Sequence, residues 1–521
     1  MGGKRLKPAS SGVLCCKSSF LSLYWQGGFT VLCVARCATC IAFANVELAV
    51  STPLILNEDR LFPVEPSARA VARELYCNIH NLPIISPHGH TDPSWFSGNA
   101  NFSNPTELLV TPDHYVFRML YSQGVDLADL GIAGPAGVVK PGVDPREAWR
   151  KFANHYWLFR ATPSRLWLDY VFKNVFDLQL VLSAETSDLY YDTILECLAQ
   201  ENFKPRQLFD RFNIELLATT ESPLDSLQHH RVIAESDWGG RVITAFRPDN
   251  VIDPEHAEFN ANIDRLEILT GESVASYAGY LNALRNRREF FKQHGATSSD
   301  HGHPTPATAD LSDQEAAALY VAVRSGNASA AEAELFRAQM LTEMAKMSID
   351  DGLVMQIHPG SFRNHNQSLY EKFGRDKGAD IPVKAEFVNN LRPLLSKLGN
   401  NKNLEIILFT LDETNYAREL APLVGHYPSL KAGPAWWFHD SPEGMKRFRE
   451  QMTETAGFYN TVGFNDDTRA FLSIPARHDV ARRCDCAFLA GLVASGRLSL
   501  EEAHEVALDL TYNLAKKAYH L

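Results

Sequence analysis

The chain has 521 residues, of which 45% are hydrophobic and 21% charged, the balance of a soluble globular enzyme with a large core. Its formal net charge is −12 with no long basic run, which argues against nucleic acid as a partner. An acidic chain that binds an acid must build its own positive pocket, so arginines at strand ends carry the information.

Residues 1–50 read differently from the rest. They hold Lys4, Arg5, Lys7, Lys17 and Arg36 against one acid, Glu47, and an apolar stretch from Phe29 closes in Ala42-Phe43-Ala44. That outline is a secretory signal. Arg36 and three cysteines break the run, however, and it is too interrupted for a membrane span of about 20 apolar residues. The segment reads as a non-structural leader from a misplaced start, with a signal peptide and a structured extension as the alternatives. It is expected to add nothing to fold or activity. A chain beginning at Ser51 should therefore match the full chain in Tm and turnover, and a loss of several degrees would refute this.

Five of the nine cysteines, Cys15, Cys16, Cys33, Cys37 and Cys40, lie in that segment. The others are Cys77, Cys197, Cys484 and Cys486. None has zinc-ribbon spacing, and so sparse a set in the body suits a reducing cytoplasm.

From Ser51 the chain is expected to form one domain, 51–521. Ser67 to Tyr76 holds no Gly or Pro and reads as a helix with Ser67 as N-cap. Leu82–Ser86 follows as a short buried strand. Seven later apolar runs end in polar residues in the same way: Ile214–Thr220, Val242–Arg247, Gly295–His301, Leu353–His358, Leu404–Thr410, Leu430–Trp437 and Tyr459–Asp467. Helical patterns fill most gaps, as in Asp313–Met347 and Ser441–Thr453. Eight alternating units imply a parallel sheet closed into a distorted (β/α)₈ TIM barrel. The gaps at about 91–213 and 253–294 are too long for simple crossovers and read as large helical insertions.

Barrel chemistry sits at the C-terminal ends of the strands. The first strand ends in His88-Gly89-His90. Residues two apart on an extended segment point the same way, so both imidazoles can grip one metal ion. A third ligand should be an acid or histidine from another strand, and the last strand offers Asp466-Asp467-Thr468-Arg469. A carboxylate beside an arginine is also a usable general base. The remaining strand ends add Arg247, Asp300-His301-Gly302, His358 with Arg363, and Trp436-Trp437-Phe438. Arginine pairs with carboxylates through two bonds, so Arg247 and Arg363 are candidates for a substrate acid group. Taken singly, each arginine is more often a structural ion-pair partner, and each tryptophan more often core.

The ordered series resembles the uronate (glucuronate) isomerase family of the amidohydrolase superfamily. It runs through the H-x-H, Asp113-His114-Tyr115, Thr219-Thr220-Glu221, Phe246-Arg247-Pro248-Asp249 and Ser299-Asp300-His301-Gly302. It continues through Met355-Gln356-Ile357-His358-Pro359-Gly360, Gly433-Pro434-Ala435-Trp436-Trp437-Phe438 and Asp467-Thr468-Arg469. The resemblance spans about Leu54 to the C-terminus. It implies His88, His90 and Asp467 as ligands of one divalent ion, zinc by its donor set with manganese as alternative, and no organic cofactor. It implies His114, Tyr115, Arg247 and Arg469 around the sugar; from the strand ends, His301, His358, Arg363 and Trp436 are further candidate substrate contacts. This sequence departs from the family pattern at Ser86-Pro87, Gly89, Glu221-Ser222 and Ala296-Thr297, which marks a divergent branch.

The implied reaction interconverts an aldose acid and its ketose acid: D-glucuronate with D-fructuronate, D-galacturonate with D-tagaturonate, or both. A proton moves from C2 to C1 through a cis-enediolate, with Asp467 as base, Arg469 stabilising the anion and His114 and Tyr115 assisting ring opening. The substrate is thus a small uronic acid, with no nucleic-acid or membrane partner, and the chain is expected to be a cytoplasmic homo-oligomer. Two rivals remain open at this point: a metal-dependent hydrolase on the same barrel, for which His301 and His358 offer extra ligands, and an inactive sugar-acid binder.

Overall fold

The computed structural model describes residues 52–135 and 137–521. The reading of residues 1–50 and its five cysteines lies outside them.

Seven strands form one parallel sheet in chain order: β1 Ile84–Ser86, β2 Ile214–Glu221, β3 Arg241–Phe246, β4 Ser298–His301, β5 Val354–Ile357, β6 Ile406–Leu408 and β7 Leu430–Ala432. β1, β4, β5 and β6 are buried at every position, as strands covered on both faces must be. β1 pairs only from Ile84, whose N–H donates to Asn213 O; Pro83 before it has no N–H to offer. β2 and β3 make the longest register, from Leu216↔Arg241 to Glu221↔Phe246.

The eighth run, expected at 459–467, contributes a single parallel bridge, Thr461 to Ala432. Its far end meets the chain beyond β1 where His90 N–H donates to Thr468 O at 3.1 Å. The sheet so closes as the expected distorted (β/α)₈ barrel. A regular eighth ladder fails because Gly463 has φ +80° and Asp467 φ +39°, left-handed values that interrupt extended pairing. Glycine is needed at 463 for a second reason: a Cβ there would lie 2.7 Å from Leu510 O.

Between β1 and β2 lie seven short α-helices, from Pro93–Gly98 to Pro205–Arg211. Their aromatic core includes Phe96, Trp149, Phe152, Tyr156 and Phe172, and it packs with Ile84, Ile214, Leu217 and Val242 of the first three strands. Between β3 and β4 come Asp249–Ile252, Phe259–Thr270 and Tyr277–Gln293. The Ala-rich stretch after β4 is two helices, Asp313–Arg324 and Ala330–Asp351. Each opens with a capping box, Ser312 with Glu315 and Ser329 with Glu332.

Among the described residues, six helices share one start signal. Pro66, Pro93, Pro105, Pro145, Pro163 and Pro442 each occupy the first turn, and the preceding Glu65, Asp92, Asn104, Asp144, Thr162 or Ser441 accepts from a first-turn N–H. Proline at the first helical position loses nothing, because that N–H has no partner within the helix. This corrects the N-cap expected at Ser67. The helix starts at Pro66, and the Glu65 side chain accepts from Ser67 N and Ala68 N. No described helix is long and apolar enough to cross a membrane.

The helix Gln228–Ala234 between β2 and β3 carries His230, which is buried, with Nε2 2.8 Å from Thr219 Oγ1. Burial pulls its pKa from 6.5 down to about 4. Between those values the unfolded chain binds the proton and the folded chain does not. The contribution of this group is therefore complete above pH 6.5 and is lost as pH falls toward 4. The loss is on the order of 3 kcal/mol when titration is complete. Denaturant unfolding of His230→Gln between pH 4.5 and 7 is expected to show a shallower dependence of stability on pH than the wild type. An unchanged slope would contradict the assignment.

Candidate active site

The chain leaves β1 into His88, Gly89 and His90, and both imidazoles reach one carboxylate oxygen. His88 Nε2 and His90 Nε2 lie 3.5 and 3.2 Å from Asp467 Oδ1. The other oxygen, Oδ2, accepts a 2.7 Å hydrogen bond from Trp436 Nε1. Burial opposes the charge on Asp467, but facing His88, His90 and His358 outweighs it and holds the carboxyl well below its usual range. Burial keeps His90 and His358 more easily deprotonated than free histidine.

His358, just past β5, joins this group. The donor atoms of His88, His358 and Asp467 all lie within 4.8 Å of one another, and the His88 and His358 rings stack with centroids 4.8 Å apart. His358 Nδ1 pairs with Asp300 Oδ1 at 2.7 Å, leaving its buried Nε2 without a partner. An imidazole tied by a carboxylate at one nitrogen and free at the other is the arrangement that orients a metal ligand. These residues therefore fit a divalent ion, and His358 belongs with them as well as with any substrate.

A cavity of about 830 Å³ opens over these strand ends. Of the side chains singled out in the sequence, His88, His90, His114, Tyr115, Arg247, His358, Arg363, Trp436, Asp467 and Arg469 line it. His301 does not: it is fully buried, with Nε2 3.1 Å from Ser299 Oγ. Trp436 is 6% exposed and edge-on to His358, so it orients Asp467 more than it offers a flat sugar platform.

His114 and Tyr115 open the helix His114–Ser122, capped by Asp113, which accepts from Tyr115 N at 2.8 Å. Their rings stack at 4.7 Å. Burial lowers the His114 pKa to about 3 and Arg469 adds to the effect, so the ring is neutral at pH 7 with a buried, unpartnered Nε2. Burial raises the Tyr115 hydroxyl well above its ordinary value.

The arginines are placed by acids. Arg247 Nε bonds Asp249 Oδ2 at 2.9 Å, and Nη1 lies 2.9 Å from Asp300 Oδ2 without hydrogen-bond alignment. Arg363 pairs with Asp380 at 2.9 Å and Arg469 with Asp376 at 3.3 Å. A side chain at Gly302 would collide with Arg247 and Asp249 and crowd Arg363, so glycine there lets the two guanidinium groups converge.

Sequence reasoning missed Asp300 as the partner of His358, and it missed Asp376. Asp300 stood in a quoted motif, but its partner depends on the β4–β5 register, Asp300↔Gln356. Asp376 lies in a loop with no periodic signal. Asn364, Asp376, Trp437 and Asp467 all line the cavity and all have positive φ. For such residues this costs roughly 1–3 kcal/mol each and clusters at functional sites.

A closed parallel barrel with imidazoles after its first and fifth strands, a carboxylate on its last segment and arginines among the cavity lining is a barrel enzyme with a candidate metal centre. A family model described as glucuronate isomerase matches residues 65–519. Curated uronate isomerases of Rhizorhabdus wittichii and Sphingopyxis alaskensis are each 66% identical, over 90% of this chain and 100% and 99% of their own. The crystal structure of glucuronate isomerase from Caulobacter crescentus is similar at TM-score 0.89 and 64% identity, over 90% of this chain and 97% of that one. A uronate isomerase structure from Thermotoga maritima is similar at TM-score 0.83 and 26% identity, over 89% and 99%. The chain belongs to the glucuronate isomerase family, an enzyme family, as the motif series implied.

If Asp300 aligns His358 as a ligand, Asp300→Asn should weaken divalent-metal affinity by about 10–100-fold. Competition with a chromophoric chelator measures this. Wild-type affinity in the variant would remove His358 from the ligand sphere.

Proposed function

We propose that the chain interconverts D-glucuronate with D-fructuronate, D-galacturonate with D-tagaturonate, or both, by proton transfer between C2 and C1 through a cis-enediolate. The observation that carries this is the placement, on one short segment, of the Asp467 carboxylate and the Arg469 guanidinium, both lining a cavity that Arg247 and Arg363 also enter.

Asp467 divides its work between two oxygens. Oδ1 faces the imidazoles, and Oδ2, which holds only the Trp436 indole, takes the C2 proton and returns it to C1. Arg469 stabilises the negative charge on the enediolate oxygens. Arg247 and Arg363 grip the substrate carboxylate, which explains why an acidic chain brings two guanidinium groups together at Gly302. Neutral His114 accepts, and protonated Tyr115 donates, as the sugar ring opens. His88, His90, His358 and Asp467 would hold one divalent ion, zinc by their donor set with manganese as alternative, which supplies a fixed positive charge at the cavity floor. No organic cofactor is required for this chemistry. The described cysteines are all free thiols, which supports a cytoplasmic setting. For the hydrolase reading, His358 does join the ligand group, but no lysine lines the cavity among the described residues.

Ketose formation from D-glucuronate and D-galacturonate tests the reaction directly. Asp467→Asn is expected to abolish isomerisation, and Arg469→Met to lower kcat more than it raises KM. Exchange of the C2 proton at wild-type rate in Asp467→Asn would overturn the base. Arg247→Lys should raise KM substantially, because lysine cannot form the planar two-bond contact. Comparable turnover of glucose and glucuronate would refute the carboxylate grip.

A further inference from the structure

We propose that Asp249, His301 and His303 form a second divalent-cation site with the ligand chemistry of zinc, separate from the cluster around Asp467. The donor atoms of these three residues lie within 4.8 Å of one another. His301 is fully buried and His303 is 3% exposed. Among the described residues, Nδ1 of His301 and both ring nitrogens of His303 meet no hydrogen-bond partner. Leaving a buried polar group unmet costs about 1–3 kcal/mol, so three such atoms in one place call for a ligand.

The local build supplies one. His301 ends β4, and Gly302 sets the two imidazoles two residues apart, the same His-Gly-His spacing that follows β1. His301 Nε2 lies 3.1 Å from Ser299 Oγ, and in the tautomer that carries its proton there Nδ1 presents a lone pair to a cation. Asp249 is pinned from the other side: Gly302 N donates to both its oxygens at 3.1 Å and Arg247 Nε donates to Oδ2 at 2.9 Å. Oδ1, with one donor, keeps a lone pair for a cation.

The surrounding charge favours a cation as well. Arg337 contacts three acids, Asp253, Glu255 and Glu334, at 2.7–2.8 Å, and Arg247 lies between Asp249 and Asp300. Carboxylates outnumber guanidinium groups around His303. Two imidazoles and one carboxylate are a zinc donor set with an open fourth position. Asp249 lines the cavity, so a cation there shares its carboxylate with Arg247 and fixes that guanidinium where the substrate acid is held.

Zinc titration of the metal-stripped full chain, with elemental analysis after desalting, tests this. The wild type is expected to retain two equivalents per chain, His303→Ala one, and His88→Ala/His90→Ala one. Diffraction at the zinc edge should show one anomalous peak among Asp249, His301 and His303. His301→Asn replaces His303→Ala if the latter fails to fold, as judged by circular dichroism. A single wild-type equivalent that disappears in His88→Ala/His90→Ala overturns the second site, and so does retention of two equivalents in His303→Ala. A single equivalent that disappears only in His303→Ala would support this site and count against the first, so the two readings fail separately.

Discussion

Two imidazoles that follow the first strand meet one carboxylate on the last segment, and the barrel's closure and its chemistry both hang on that contact. Regular pairing runs from β1 to β7 and stops. The eighth segment adds one bridge to β7, and on its far side the backbone link is His90 N–H to Thr468 O. His88 and His90 against Asp467 Oδ1 therefore act as the side-chain half of a thin seam. A cation bound there would tie the first segment to the last, so metal binding would stabilise closure as well as the site.

Helix Ile474–Ala494 braces the same seam from outside. It buries Arg477, His478, Asp479, Arg482, Arg483 and Asp485, a set that survives burial only with partners. Arg482 donates to the carbonyls of His80, Leu82 and Pro83 at the entrance to β1. His478 pairs with Asp466 at 3.0 Å, next in the chain to Asp467. Arg477 bonds Asp440 and lies over the Trp167 and Tyr115 rings. One helix thus fixes the first strand, the eighth segment and Tyr115 together. These charged side chains are interior struts.

That helix also shows why part of the design was legible and part was not. Strand ends could be read because a short buried strand that breaks into polar residues leaves a local signature, and His88, His90 and Asp467 each sit at such a break. Arg482 leaves none, since the carbonyls it meets are 399 or more residues away in the chain, and Arg477 meets Ser473 nearby but Asp440 only through the fold. His358 was read as a substrate contact, and its place beside His88 follows from the stacking of two strand ends across the barrel. The eighth run, at 459–467, keeps one bridge, and Gly463 is the residue in it that interrupts pairing. His303 did carry a readable signal. The motif Asp300-His301-Gly302 was noted one residue short of a second His-Gly-His.

The arginines that line the cavity are not equally free to act. Arg247 is held by Asp249 and lies against Asp300, which is itself tied to His358. Arg363 is held by Asp380, whose other oxygen accepts Asn364 N at 2.7 Å. Such partners fix a guanidinium in place and suit it to gripping a charge that is present throughout the reaction. Arg469 meets only Asp376, at 3.3 Å, and the two side chains are 42% and 51% exposed. An ion pair so exposed is worth about 0–1 kcal/mol. A negative charge developing on a bound sugar can therefore take Arg469 from Asp376 at little cost, whereas displacing Asp249 from Arg247 would strand a carboxylate. The split between rigid grip and available guanidinium is what an enediolate mechanism asks of its cations: most of the binding before the reaction, and the last interaction only as the charge appears.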